Sequence, residues 1–348
     1  MEKARFKWVL RERNRKIAAK TEVFTEQQAR RVRSFHSSFK EYSPTPLIEL
    51  TSLAQHLGIK NLFVKDESYR FELNAFKVLG GSFAIGSYIA NELGEDIDDL
   101  PYMRLVSDEV RSLLGSKTFI TTTDGNHGRG VAWTANRLKQ QAIVYMPQGS
   151  AAERLANIRA EGAQAEITDM NYDDTVRYTS ELAQKNGWII VQDTAWDGYT
   201  RIPLWIMQGY MTMALEAYEQ LPVKPTHIFL QAGVGSLAGS VQGFFADIYG
   251  SSCPLTFIVE PKGADCLYQT AAANDGSLHS VTGRLETIMA GLACGEPNSI
   301  AWEILGNLSD GFISCPDYTA AQGMRILGNP LAGDTKAVSY THLTLPTI

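Results

Sequence analysis

Between Thr118 and Glu260 the chain switches repeatedly from short apolar runs to stretches with helical spacing, and this rhythm restricts the fold more than any other feature. Strands are predicted over 118–123, 142–146, 165–168 and 188–192, separated by helices over 127–138, 151–161 and 173–185. After Pro203 the pattern resumes with a helix reaching about Leu221, a strand over 227–231, a glycine-rich turn, a helix to Tyr249 and a strand over 255–260. Alternation of this kind implies parallel sheets with helices on both faces, because a parallel neighbour can be reached only by a crossover. The expectation is an α/β protein with two mainly parallel sheets, whose ligands gather beyond the carboxyl ends of the strands. A length of 348 residues is sufficient for two such domains.

Upstream, Ala29, Val32, Phe35 and Phe39 recur at three- and four-residue steps, which predicts an amphipathic helix over 26–42 that Ser43-Pro44-Thr45-Pro46 ends. Helical spacing resumes over 47–57 and stops at Gly58, and 61–66 reads as a short buried strand. A helix over 77–93 opens at Lys77, and the acidic, turn-rich residues 95–99 follow it. Residues 1–20 are basic but contain Glu2 and Glu12 and no long apolar run, so they are expected to be a solvated lead-in and not a signal peptide or membrane span.

A hydrophobic fraction of 44% with 20% charged residues is ordinary for a soluble enzyme, and a net charge of -6 carries no electrostatic footprint for nucleic acid. Cys253, Cys266, Cys294 and Cys315 are widely spaced without a CxxC pair, which argues against a zinc cage or a disulfide framework and suits a reducing cytoplasm. His36, His56 and His127 lack metal-ligand spacing, so no metal site is expected.

Four stretches carry chemistry. Lys77 lies among Ala75, Phe76, Val78 and Leu79, where partial desolvation lowers the pKa of an amine and makes it a nucleophile able to form a Schiff base with an aldehyde. Gly233, Val234, Gly235, Ser236, Leu237, Ala238 and Gly239 join a strand to a helix, where backbone N–H groups at a helix start can cradle a phosphate. Their third glycine falls one position late for a dinucleotide fingerprint, which disfavours a Rossmann oxidoreductase. Thr121-Thr122-Thr123-Asp124-Gly125-Asn126-His127-Gly128 ends a strand and starts a helix, and its hydroxyls, amide and backbone donors suit a substrate carboxylate. Gln192-Asp193-Thr194-Ala195-Trp196 places a carboxylate at a strand end, where burial is costly without a partner.

With these stretches together, the chain resembles the fold-type-II (tryptophan synthase beta-like) pyridoxal-phosphate enzymes, and among them the diaminopropionate ammonia-lyases. Pro44-Thr45-Pro46-Leu47, Val64-Lys65-Asp66-Glu67-Ser68, Met170-Asn171-Tyr172-Asp173-Asp174, Gly291-Leu292-Ala293-Cys294-Gly295-Glu296-Pro297 and Ile258-Val259-Glu260-Pro261 share in the likeness, which runs from about residue 26 to about residue 330. The resemblance implies pyridoxal 5'-phosphate on Lys77, its phosphate held by Gly233 through Gly239 and its ring hydroxyl contacted by Asn126. It implies substrate contacts from Thr123, Asp124, Gly125 and His127. It also implies a lyase for a small amino acid: αβ-elimination of D- and L-2,3-diaminopropionate to pyruvate and ammonia by a cytoplasmic homodimer. Asp124 replaces a residue that looks like serine in related dehydratases, so a carboxylate is available to face a second ammonium. Asp124 is then the expected base for the D isomer and Asp193 for the L isomer, with Lys77 as an alternative base. The implied architecture is a large cofactor-binding domain from 1–86 and 201–336, with a smaller domain over 87–200 inserted between.

Residues 337–348 do not look like the glycine- and serine-rich continuation of that family, and the expectation is a non-family tail on a shortened large domain. The pyridine-nitrogen partner of the family is not found in this sequence. Two alternatives follow: a serine or threonine dehydratase of the same fold, and a shortened chain that binds the cofactor without turnover.

Overall fold

The computed structural model describes residues 5–12, 21–123 and 125–338. Asp124 and the stretch 339–348 therefore lie outside the described residues, as do 1–4 and 13–20. Ten strands are present among the described residues: β1 Lys7–Leu10, β2 Leu47–Glu49, β3 Phe63–Lys65, β4 Thr118–Thr122, β5 Gln141–Met146, β6 Gln164–Ile167, β7 Ile189–Ile190, β8 His227–Gln231, β9 Leu255–Pro261 and β10 Gly311–Cys315. They form two four-stranded sheets, ordered β6-β5-β4-β7 and β1-β10-β9-β8, and a β2-β3 ribbon. The first sheet is wholly parallel. In the second, β8, β9 and β10 are parallel and β1 runs antiparallel along one edge.

Three expectations are corrected. Residues 7–10 are not a solvated lead-in but the edge strand β1, matched to β10 from Lys7 opposite Ser314 to Leu10 opposite Gly311. That pairing is with residues three hundred positions away, so nothing local announces it. The stretch 47–57 is not one helix: Leu47–Glu49 pairs antiparallel with β3 before the Thr51–Leu57 helix starts. The amide of Asp66 donates to the Pro46 carbonyl and that of Leu50 to Leu62, so tertiary pairing overrides helical spacing there. The first helix stops at Ser37, and three-residue turns, with Phe39 bonded to His36 and Tyr42 to Phe39, continue to Tyr42 and still bury Phe39. Gly58 closes the second helix with a left-handed φ of 69°, as its position at the end of the apolar spacing suggested.

The Lys77–Leu93 helix is the hub, packed between the Asn126–Arg137 and Arg201–Gln220 helices. Glycines make this possible. A Cβ on Gly80 would lie 2.7 Å from both Ile206 and Tyr210, and one on Gly130 2.9 Å from the Val78 Cα. These close approaches fix the first turn of the hub helix, and with it Lys77, against both neighbours.

Behind the hub lies a buried ionic cluster. Arg70 is fully buried; its guanidinium donates to Glu67 at 2.8 Å and to both Glu216 oxygens at 2.7 and 2.8 Å. Lys65 reaches Glu216 at 2.9 Å, Tyr42 donates to the same carboxylate at 2.9 Å, and the Thr45 hydroxyl donates to Glu67 at 2.6 Å. Burial works against Glu216's charge, but Arg70 and Lys65 overcome it and hold the carboxyl down at about 2. The segment 332–338 packs against this end of the molecule. Asp334 accepts from the amides of Ser52 and Leu53, capping a helix whose own Leu50 offers no side-chain cap, and the Val338 amide donates to Asp66. Ala337 is buried.

Candidate active site

Lys77 is the first residue of the hub helix, and its ammonium meets the Asp193 carboxylate, which follows β7. Two residues 116 positions apart are thus paired where a strand end faces a helix start. Burial pushes the Asp193 carboxyl up, but the charges of Lys77 and His127 outweigh it and hold the group at about 2. Asp193 is therefore an anion whose charge depends on its cationic neighbours.

The segment carrying Asp193 is anchored at every step. The His127 Nε2 lies 2.7 Å from the Val191 carbonyl, which can only accept, so this nitrogen carries a proton. The Gln192 side chain accepts from Thr121 and from the Thr122 amide at 3.0 Å each and donates to the Tyr172 hydroxyl at 2.8 Å. Tyr199 receives the Gln192 amide at 2.8 Å and donates to the Ile190 carbonyl at 3.0 Å. The Asp193 carbonyl accepts from the Ser236 hydroxyl at 2.5 Å.

That last bond joins Asp193 to the glycine-rich turn. Gly235 has φ +101°, a left-handed conformation that turns the chain into the Ser236–Tyr249 helix. The first amides of this helix have no carbonyl behind them, whereas the Gly239 amide is already bonded to the Gly235 carbonyl at 2.8 Å. The free donors therefore end at Ala238. A Cβ on Gly233 would meet the Cys294 sulfur at 3.2 Å and the Leu292 Cα at 3.3 Å, so glycine lets the 291–294 loop close over the turn. Asn298 ties the pieces together: its amide nitrogen donates to the Ser236 hydroxyl at 2.8 Å, its backbone donates to the Val234 carbonyl, and its side-chain oxygen caps the Ser299–Leu308 helix.

The result is a cleft of about 390 Å³, open mouth included, lined by Phe76, Lys77, Asp193, the turn from Gln231 to Leu237, and Gly291, Leu292 and Cys294. Val234 and Cys294 also border a second, outer and open cleft of about 730 Å³, mouth included, that Tyr172, Asp173, Arg177, Trp196 and Glu296 line. Among the anticipated residues, Lys77, Asp193, Gly233, Val234, Gly235, Ser236 and Leu237 meet in the inner cleft. Ala238 is buried and Gly239 packs against Ala301, with only 3.1 Å available to a Cβ. Thr123 accepts from the Gly125 amide at 2.9 Å; Thr123, Gly125 and His127 are buried beside the cleft and are not on its wall, and Asn126 is half-buried. The hydroxyls of Thr121 and Thr122 do not face a ligand: they bond Gln192 and the Thr175–Thr179 turn. Asp124 lies outside the described residues.

Sequence reasoning missed Tyr199 and Asn298, and it did not anticipate that the Ser236 side chain engages the Asp193 carbonyl while its amide stays at the open helix start. Each acts through a partner from a distant element, and no local spacing signals that. Among the described residues there is no group of His, Cys, Asp and Glu placed to hold a metal ion, and no helix is long and apolar enough to cross a membrane.

An amine beside a carboxylate, facing the bare N-terminus of a glycine-framed helix, fits an anionic aldehyde cofactor: the amine can bond its carbonyl and the amides its phosphate. The class is defined accordingly, and a family model described as pyridoxal-phosphate dependent enzyme matches residues 39–330. The chain is 52% identical over 321 residues to diaminopropionate ammonia-lyase of Escherichia coli K12, covering 91% of this chain and 79% of that protein. The crystal structure of holo diaminopropionate ammonia lyase from Escherichia coli superposes with a TM-score of 0.89 at 48% identity, covering 97% of this chain and 84% of that one. The same enzyme in complex with an aminoacrylate-PLP azomethine reaction intermediate gives 0.87 at 48% identity and the same coverage. The chain belongs to the pyridoxal-phosphate dependent enzymes and, within them, to the diaminopropionate ammonia-lyase family.

Proposed function

We infer that this chain is a pyridoxal-phosphate-dependent ammonia-lyase that converts D- and L-2,3-diaminopropionate to pyruvate and ammonia. The observation that carries this reading is the Lys77–Asp193 pair at the wall of the glycine-framed cleft. When bound, pyridoxal phosphate supplies the electron sink that makes cleavage at Cα and loss of the β-amine feasible. On this reading Lys77 holds the cofactor, the turn from Gly233 to Ala238 receives its phosphate, with Gly239 closing the turn and donating to Gly235 instead, and Asn126 contacts its ring. Asp193 takes the Cα proton from the L isomer and Asp124 from the D isomer, while Thr123, Gly125 and His127 shape the substrate site.

The electrostatics of Asp193 support its part. Burial alone would raise its pKa, and the Lys77 charge is the main influence holding it low. When Lys77 loses its charge, Asp193 becomes a stronger base, so the same residue is an inert partner at rest and a proton acceptor when substrate is present. The outer cleft carries the acidic Asp173 and Glu296 together with the cation Arg177, a mixed lining suited to a substrate that bears both amines and a carboxylate.

The domain division in keeping with this reading is 1–86 with 201–336 as the larger cofactor-binding unit and 87–200 as the smaller one. In its support, β4 to β7 fall within the second range and β8 to β10 within the first. The assembly proposed is a cytoplasmic homodimer. The test is the purified chain loaded with pyridoxal phosphate and offered D- or L-diaminopropionate or serine. Pyruvate with two equivalents of ammonia from the diamino acid is expected. Cofactor uptake without pyruvate, or turnover of serine in preference, would overturn the assignment.

A further inference from the structure

Tyr210 has no task in the reading above, yet its hydroxyl end is buried against the first turn of the hub helix. It belongs to the Arg201–Gln220 helix and has no exposed surface. A Cβ on Gly80 would lie 2.7 Å from its ring Cε1 and 2.9 Å from Cζ, the carbon that bears the hydroxyl. Its ring meets that of Phe76, the residue before Lys77, at 5.1 Å and 73°. The hydroxyl is thus boxed between residues 76 and 80, within the electrostatic reach of Lys77 and Asp193. Among the described residues it has no hydrogen bond of ordinary geometry, and Lys77 is the one side chain there that acts on it both by charge and as a weak hydrogen-bond neighbour. An unsatisfied buried hydroxyl costs about 1–3 kcal/mol, so a core that needed only the ring would be more stable with phenylalanine.

The two protonation states of Lys77 use a phenol differently. An ammonium has donors only, and here it is turned to the Asp193 carboxylate. A neutral amine has a lone pair that accepts from a phenol, whose hydroxyl is a good donor. We propose that Tyr210 is a positioning residue: its hydroxyl donates to the neutral Lys77 amine and keeps that amine uncharged and aimed into the cleft once it has left Asp193. Among the described residues, the groups around this amine include Asp193 after β7, the Phe76 ring, Tyr210 on the Arg201–Gln220 helix and Cys294 on the wall of the same cleft; His127 acts on Asp193 from the Asn126–Arg137 helix. Burial makes Tyr210 itself harder to ionise, so it remains a donor throughout the pH range in which the lysine titrates.

The inference rests on Lys77 being the cofactor lysine, and the test separates the two. The full-length chain is freed of cofactor, pyridoxal phosphate is added back, and uptake is followed by absorbance across pH. Adducts are then reduced with borohydride and mapped by mass. Tyr210→Phe is expected to slow uptake about tenfold near pH 7 and to raise the pH midpoint by about one unit, with the adduct still on Lys77. If Tyr210→Phe does not fold, 3-fluorotyrosine at 210, nearly the same size but more acidic, is expected to lower the midpoint. A Lys77 adduct with an unmoved midpoint and rate overturns the role of Tyr210 alone. An adduct on another lysine overturns the assignment of Lys77 and the role of Tyr210 with it.

Discussion

The protein buries two sets of opposite charges, one around Arg70 and one at Lys77, and they are built on opposite rules. The cluster around Arg70 is saturated: two cations face two carboxylates, and Tyr42 and Thr45 supply further donors to them. The Lys77–Asp193 pair has a cleft at its side, and its direct ion-pair contact is made by one flexible side chain, with His127 contributing charge from behind. A saturated cluster has no valence left for a ligand, so it can only hold the fold together. A pair beside a cleft can exchange one partner for a substrate or cofactor. The difference is in the completeness of pairing and not in burial, since Asp193 and Glu216 are both deep in the protein.

Mutations should break the two sets in different observables. Lys77→Ala is expected to have the largest effect, a fall in turnover of about 10⁴-fold or more with loss of the borohydride-reducible adduct. Retention of the adduct in that variant would sink the assignment. Arg70→Met is expected to leave Glu67 and Glu216 as uncompensated buried charges and to cost about 3–5 kcal/mol in urea unfolding. A stable variant with normal cofactor binding would show that the cluster is not structural.

Asp193→Asn should lower turnover of the L isomer by about 10²–10³-fold and that of the D isomer far less, measured as pyruvate formed from each. Equal losses on both isomers would remove the two-base reading. Gly235→Ala, which forces a side chain to φ +101° with 3.3 Å to Ala301, should weaken pyridoxal phosphate binding and cost about 1–2 kcal/mol of stability.

A further effect is pH-dependent, develops only as the medium is acidified, and belongs to the saturated side. His36 is buried next to Arg70; burial first and then the Arg70 charge lower its pKa from 6.5 to about 3. Below pH 6.5 the unfolded chain takes up a proton that the folded chain refuses, so stability is full above that value and declines as pH falls toward about 3. Denaturant titrations of His36→Gln should show a flatter acid limb over that window, and an unchanged limb would place the acid sensitivity elsewhere.

The rhythm of strands and helices was legible because apolar periodicity is a local property. The helix over 77–93 and the strand over 227–231 match the structure end for end. Lys77, Asp193 and the glycine turn were legible too, since chemistry at a strand end or helix start needs particular residue types there. By contrast, β1 and the β2-β3 ribbon depend on partners remote in the chain or on a competition between helical spacing and pairing. Ser236, Asn298 and Tyr199 look like ordinary polar residues until the fold brings the Asp193 carbonyl, the Val234 carbonyl and the Ile190 carbonyl to them.

By itself, then, the sequence determined the alternating α/β elements, the amine, and the glycines that free a helix N-terminus, since each follows from properties of a few consecutive residues. Only the tertiary structure decided that Lys77 faces Asp193, that Arg70 is saturated by Glu67 and Glu216, and that the Tyr210 hydroxyl ends beside the hub helix. Those relations depend on which helix crosses which at a glycine, and close approach between distant segments is not encoded in any one of them.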